Sequence, residues 1–150
     1  MTAANYDQKY LEWCALYGED SALWPYECQV MNQFFASYNA ENWTEERVIY
    51  RTFPQEGKIS LEEAVAIAFQ AIHEAGDERV GAAWIDGLKP CATLGVNVWV
   101  DAAYQSDEPL WVVTLLSWDA EYRYWAQRAY AYITEDGEVI LADLDLYSNG

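Results

Sequence analysis

Two segments near the N-terminus carry apolar residues at the spacing of an amphipathic helix. Residues 5–17 have apolar side chains three and four positions apart, and Gly18 follows where a C-terminal cap is expected. A second segment has Pro25 at the position of a first helical turn, where the missing N–H is not needed. Its apolar stripe consists of Trp24, Cys28, Met31, Phe35 and Tyr38. The pattern predicts two short antiparallel helices joined by a glycine turn.

The strongest helical pattern in the chain begins at Ser60. Ser60 and Glu63 have the S-x-x-E spacing of a capping box, in which each side chain accepts from the backbone N–H of the other residue. The face behind this box carries Leu61, Val65, Ala68 and Ile72. Gly76 is predicted to end the helix. Upstream, residues 54–60 break the pattern, and residues 47–53 fit either a helix end or a short strand.

After residue 77 the apolar periodicity changes from that of a helix to that of strands. Four strands are predicted, over residues 94–100, 109–118, 122–134 and 138–146. The second is apolar almost throughout, as expected for a central strand that is buried on both faces. Asp136 and Gly137 form the predicted turn between the last two strands, because glycine tolerates a positive φ.

The order of these elements predicts an α+β protein. Helices come first, and one long helix then packs across a four-stranded antiparallel sheet. A division follows at the break before Ser60: residues 1–57 form a helical segment packed on the main domain, and residues 58–150 form the α+β domain.

The net charge restricts the partners of such a domain. The chain has 25 acidic and 8 basic residues, a formal charge of −17. A field of this sign repels phosphate backbones and anionic lipid, so direct nucleic-acid binding is disfavoured. Two interpretations remain: an ordinary solvated acidic surface, or an acidic inhibitor inside the cell that mimics nucleic acid on a protein target. The longest apolar runs are much shorter than the ~20 residues that cross a bilayer, so no membrane insertion is predicted.

The residue types that usually carry chemistry are few. With one histidine and no C-x-x-C spacing, a structural zinc site is not expected, and Cys14 and Cys28 are interpreted as small buried residues, although a disulfide between them stays open. His73 is expected near the C-terminus of its helix in a structural role, with a catalytic pair to Cys91 as the alternative. We predict no catalytic residues, no metal and no cofactor.

The acids near the last predicted turn allow a second interpretation. Glu135, Asp136 and Glu138 cluster there, and hard cations such as calcium prefer several carboxylate oxygens. Their spacing does not match the D-x-D-x-D-G loop, so solvated turn acids are expected instead.

Tyrosines in the third predicted strand are the candidate binding residues. Alternation puts Tyr124, Arg128, Tyr130 and Tyr132 on one face and Trp125, Ala129, Ala131 and Ile133 on the other. If the long helix covers the second face, Tyr122, Tyr124, Tyr130 and Tyr132 form an exposed platform, since tyrosine combines apolar area with a hydroxyl group. Alternatively, the N-terminal helices bury their aromatic stripes against this face and the tyrosines are core.

The C-terminal two thirds of the chain resembles a PepSY-type domain. The segment ISLEEAVAIAFQAIHEAG resembles the capped helix of that family, and ITEDGEVILAD resembles its closing hairpin, with Gly137, Glu138 and Val139 matching and the shorter TED approach departing. The N-terminal LYGEDSALWPYECQVMNQF resembles a Trp-Pro helical element of surface proteins from Gram-positive gut bacteria.

This resemblance implies a function and a setting. PepSY-like domains are non-enzymatic modules that accompany secreted peptidases and cell-envelope proteins. The expectation is therefore an extracellular or cell-surface module that binds a protein or peptide and restrains a peptidase. No signal peptide or anchor is recognised at the N-terminus, which keeps a cytoplasmic location as the alternative.

Overall fold

A computed structural model of the chain describes residues 3–18, 49–51, 58–96, 98–101 and 104–145. Within these ranges the helices are α1 (Ala3–Leu16), α2 (Leu61–Val80) and α3 (Ala82–Asp86). The strands are β1 (Ile49–Arg51), β2 (Lys89–Val96), β3 (Trp99–Asp101), β4 (Tyr104–Gln105), β5 (Leu110–Asp119), β6 (Tyr124–Thr134) and β7 (Val139–Leu144). The protein is therefore of the α+β class, as predicted.

The main sheet has five antiparallel strands in the order β1-β2-β5-β6-β7. Four of them form the predicted meander, and β1 adds a fifth strand beside β2, so the ambiguous segment 47–53 contains a strand. The first predicted strand is displaced: it begins at Lys89, and residues 99–101 belong to a separate hairpin with β4. Pro90 and Gly95 are rare in strands, which hides β2 from the alternation pattern.

The capping box at the start of α2 is confirmed. The Glu63 amide donates to Ser60 Oγ at 3.1 Å, and the Ser60 amide donates to Glu63 Oε1 at 3.4 Å. The predicted end at Gly76 is wrong, because α2 continues to Val80 and the chain turns at Gly81 with φ +87°. Residues 82–86 then form α3. This helix was not predicted, because the apolar periodicity after residue 77 was expected to be that of strands.

Helix α2 lies across one face of the sheet and contacts β7 and β6 most extensively. The core between them contains large side chains that are fully buried, among them Ile72, Ile85, Leu94, Trp111, Val113, Leu115 and Ile133. Burying each such side chain contributes about 1.5–3 kcal/mol, so this layer is the main source of stability. Leu110–Leu116 of β5 are all buried, as predicted for a central strand.

A register shift changes the two faces of β6. Trp118 pairs with Trp125 and Leu116 with Gln127, but Leu115 pairs with Ala129, so the extra residue Arg128 forms a bulge. Trp125 therefore shares the face of Tyr130 and Tyr132, and its predicted position with Ala129, Ala131 and Ile133 is wrong. One inserted residue reverses the alternation of every side chain that precedes it.

Helix α1 lies against the face of the sheet opposite α2. Cys14 of α1 is buried in one cluster with Cys91, Leu116 and Trp125. The Trp125 indole Nε1 donates to the Tyr17 backbone carbonyl at 2.5 Å. The first N-terminal helix is thus confirmed, and Cys14 is a buried thiol as interpreted.

Other expectations for the N-terminal segment fall beyond the described ranges. The second predicted helix, with Pro25 and Cys28, lies outside the described residues, as do most of the break at residues 54–60 and Leu146 of the last predicted strand. The division into residues 1–57 and 58–150 stays a prediction. Among the described helices, none combines the length and the hydropathy needed to span a bilayer.

Candidate functional site

Strand β7 forms one edge of the main sheet. Of the described strands, only β6 pairs with it. Val139 and Ile140 at its start are 38% and 41% exposed, which is unusual for adjacent aliphatic side chains. An edge strand presents backbone N–H and C=O groups along its outer side, where another extended segment can pair. This surface, residues 139–142, is called the β7 edge below.

The start of the β7 edge is shaped by a tight hairpin. Gly137 has φ +97°, and its amide donates to the Thr134 carbonyl at 3.0 Å, which confirms the predicted turn. Across the turn, the Thr134 amide donates to the Glu138 carbonyl at 2.8 Å. Ile133 pairs with Val139 and Tyr132 with Leu141, so Ile140 is an extra residue in a bulge. Bulges of this kind re-aim side chains at sheet edges, which here accounts for the exposure of Ile140.

The hairpin is fixed to the start of α2 by three contacts. Lys58 Nζ lies 2.9 Å from Asp136 Oδ1, and this carboxylate raises the pKa of Lys58. The Ile59 amide donates to the Glu135 carbonyl at 3.0 Å. A Cβ placed on Gly137 would lie 3.4 Å from Ile67 Cδ1, so the turn also packs closely on α2. These contacts hold the start of the β7 edge against the N-terminal end of α2.

The far end of β7 is closed by its own side chains. Leu144 is buried under α2, against Gly76. The Asp145 amide donates to the Arg128 carbonyl on β6, so by alternation the amides of Leu144 and Ala142 point to the outer side. Asp143 Oδ1 accepts from the Leu144 amide at 2.7 Å and from Arg79 Nη1 at 3.1 Å. The Asp143 carboxylate thus accepts a hydrogen bond from the last outward amide, that of Leu144. The open part of the edge is therefore residues 139–142.

The four candidate tyrosines do not lie together. Tyr122 is 65% exposed in the turn between β5 and β6. Tyr124 packs against the cluster around Cys14, where burial and then Asp119 raise its pKa. Tyr132 is buried with Val98, Leu110 and Val112, and the half-buried Tyr130 packs on this cluster.

The last two tyrosine rings contact each other, with centroids 5.8 Å apart. Burial, followed by Asp143 and Asp145, raises the pKa of Tyr130. In this conformation Tyr122 is the member of the set that is most accessible to a partner.

The residues considered for catalysis are separated by the sheet. Cys91 is buried on the α1 side, with its Sγ 3.3 Å from Thr114 Oγ1. His73 belongs to α2 on the other side, and it lies well before the end of that helix, so its predicted C-terminal position is wrong. The structure therefore does not bring Cys91 and His73 together.

The three acidic residues near the β6–β7 turn have different surroundings. Glu135 is buried, contrary to the expected solvated position, whereas Asp136 is paired with Lys58 and Glu138 is exposed. Within the described part of the chain, no group of three His, Cys, Asp or Glu side chains is arranged to hold a metal ion.

The β7 edge was not identified from the sequence. Its signal is the pair Val139-Ile140, two adjacent apolar residues directly after a Gly-Glu turn. In a strict alternation one of them would face the core, and the bulge that exposes both cannot be inferred from the strand alone.

Comparisons of the chain with protein families, with curated proteins and with solved structures find no match. The resemblance to PepSY-type domains therefore stays a prediction.

Proposed function

We propose that the chain is a non-enzymatic binding module that takes up an extended segment of a protein or peptide along the β7 edge. The observation that carries this proposal is that, among the described residues, none pairs with the outer backbone of β7, on the same strand that exposes Val139 and Ile140. In binding by strand addition, main-chain hydrogen bonds supply affinity and neighbouring side chains supply specificity. The β7 edge offers both.

The chemistry of the edge restricts the partner. Its open part is short, residues 139–142, so it accommodates a few residues of an extended segment. Exposed Glu138 flanks its start, where Asp136 is already paired with Lys58, and the chain carries a net charge of −17. Complementary charge favours association with a basic partner. A segment that pairs apolar residues with Lys or Arg fits these requirements best.

The proposed setting is extracytoplasmic, and a peptidase is the proposed kind of partner. This part of the proposal rests on the resemblance of the sequence segments ISLEEAVAIAFQAIHEAG and ITEDGEVILAD to PepSY-type domains. Fractionation of the source cells with mass spectrometry of the mature chain tests it. An exported chain, cleaved or anchored, is the expected result, and a chain found in the cytoplasm would contradict the location.

The binding mode is tested with a displayed library of random peptides. Peptides selected on the purified protein are synthesised, and their Kd is measured by calorimetry for wild type, Val139→Lys and Ile140→Lys. Each lysine places a charge at the edge, and we expect binding to weaken about tenfold or more, equivalent to ~1.4 kcal/mol. Leu16→Lys is the matched control, because Leu16 is 69% exposed on α1, away from the edge.

Two results would contradict the proposal. One is the absence of any selected peptide that binds more tightly than about 1 mM. The other is binding that is indifferent to both edge variants. If binding instead collapses as salt rises and tolerates Val139→Lys, the acidic mimic of nucleic acid becomes the better hypothesis, because screening weakens contacts between exposed charges most.

A further inference from the structure

The single histidine of the chain lies between two helices. His73 Nδ1 is 2.6 Å from Asp77 Oδ1, one turn further along α2. Its other ring nitrogen, Nε2, is 2.7 Å from Asp86 Oδ1, in the last residue of α3. The imidazole ring therefore bridges the two helices.

This geometry specifies the protonation state of the ring. Ionised carboxylate oxygens only accept hydrogen bonds, and a neutral imidazole has a single N–H. Both short contacts can be hydrogen bonds at once only if His73 carries two N–H groups, as an imidazolium. In the neutral ring, one nitrogen lone pair would face a carboxylate oxygen at under 3 Å, which is repulsive.

We propose that His73 is a pH-operated clasp that holds α3 against α2, closed when the ring is protonated and opened when it loses a proton. Helix α3 has five residues, too few for stability without tertiary contacts. Its apolar attachment consists of Ile85, with Leu88 just beyond it, and glycines 81 and 87 flank the helix. Loss of the Asp86 contact therefore removes the ion pair on the outer side of α3, while Ile85 and Leu88 keep its inner side in the core.

The described elements around the clasp carry other charged side chains. On α2, Glu74 and Glu78 are exposed neighbours in sequence, and Arg79 is paired with Asp143 of β7. Asp86 is the one charged residue of α3, and Lys89 follows it at the start of β2. The pKa of His73 is raised, first by the hydrogen bond to Asp77 and next by that to Asp86, so the clasp opens above pH ~6.5, the ordinary value for histidine.

The sign of the effect follows from linkage. A raised pKa in the folded protein means that the contribution to stability is complete below the pKa of the unfolded chain. It is lost as pH rises through the higher folded value. His73 is 23% exposed, so solvent screens the contacts and the effect on global stability is modest. The expected consequence is local opening of α3.

Titration of the His73 ring by NMR tests the clasp, and assignment is direct because the chain has one histidine. We expect a wild-type pKa above 6.5 that falls in both Asp86→Asn and Asp77→Asn. Glu74→Gln is the matched control, since it removes a neighbouring charge without touching the ring, and a smaller shift is expected. A wild-type pKa at or below 6.5, or no change in Asp86→Asn, would overturn the proposal.

Opening is measured separately by amide exchange of residues 84–87, corrected for the intrinsic pH dependence of exchange. Protection is expected to fall as pH rises through the folded pKa of His73, and this dependence should disappear in His73→Gln and in Asp86→Asn. Protection that stays constant with pH in the wild type would overturn the clasp as a conformational device.

Discussion

Gly76 lies where α2 crosses β7 at close range. A Cβ built on this glycine would stand 2.8 Å from Leu144 Cδ1 and 3.0 Å from its Cγ. Alanine is otherwise the better helix residue by about 0.5–1 kcal/mol. Leu144 is buried, so it has little space to move away. At this position the contact with β7 outweighs helix propensity.

Gly76→Ala is therefore expected to destabilise the protein by about 1–2 kcal/mol, the usual range for overpacking a closed contact. Gly87→Ala is the matched control, because a Cβ there meets its nearest atoms at an ordinary 3.6 Å. Urea unfolding of both variants measures the free energies. A Gly76→Ala protein as stable as wild type would show that α2 can move away from the strand.

The difference between Gly76 and Gly137 shows which features a sequence discloses. Gly137 follows Asp in a local turn, and Ser60 with Glu63 forms a local cap, so neighbouring residues were enough to predict both. Gly76 fits the local rule for a helix end equally well. Its actual role depends on Leu144, which is distant in the chain and becomes a neighbour only in the fold.

Among the elements, β5 was the most predictable, whereas β6 was predicted in extent but not in which of its side chains share a face. Seven consecutive buried residues of β5 appear in the sequence as one apolar run. The faces of β6 depend on the bulge at Arg128, and a bulge is a property of two paired strands rather than of one sequence. The predicted faces of the tyrosines and of Trp125 assumed a strand without this extra residue. For the same reason the bulged Ile140 of the β7 edge was not identified.

Amide exchange should separate the central strand from the edge. The amides of Val112–Leu115 in β5 are expected to exchange slowest, because β2 and β6 pair with the strand on both sides. The outward amide of Ala142 on β7 is expected to exchange much faster than its neighbours. Equal protection of Ala142 and β5 would mean that the outer side of β7 is already paired, which would contradict an open edge.

At the scale of the whole molecule, described helices pack on both faces of the sheet. Helix α2 lies on one face, and α1 packs on the other through the cluster around Cys14. Among the described residues, the exposed large apolar side chains lie on α1, on α3, in the turn before β6 and at the start of β7. The exposed side of α2 carries Glu62, Glu63, Glu74, Asp77 and Glu78, which suits solvent or a basic partner rather than an apolar one. The β7 edge combines exposed apolar side chains with available backbone.

The measurement that tests the strand-addition proposal most directly is a map of backbone amide shifts in ¹⁵N-labelled protein on addition of a selected peptide. The account predicts the largest shifts at residues 139–142, with contacts between peptide backbone and β7 across a strand spacing. Largest shifts on the acidic side of α2, or in the turn that carries Tyr122, with the β7 amides unchanged, would contradict it.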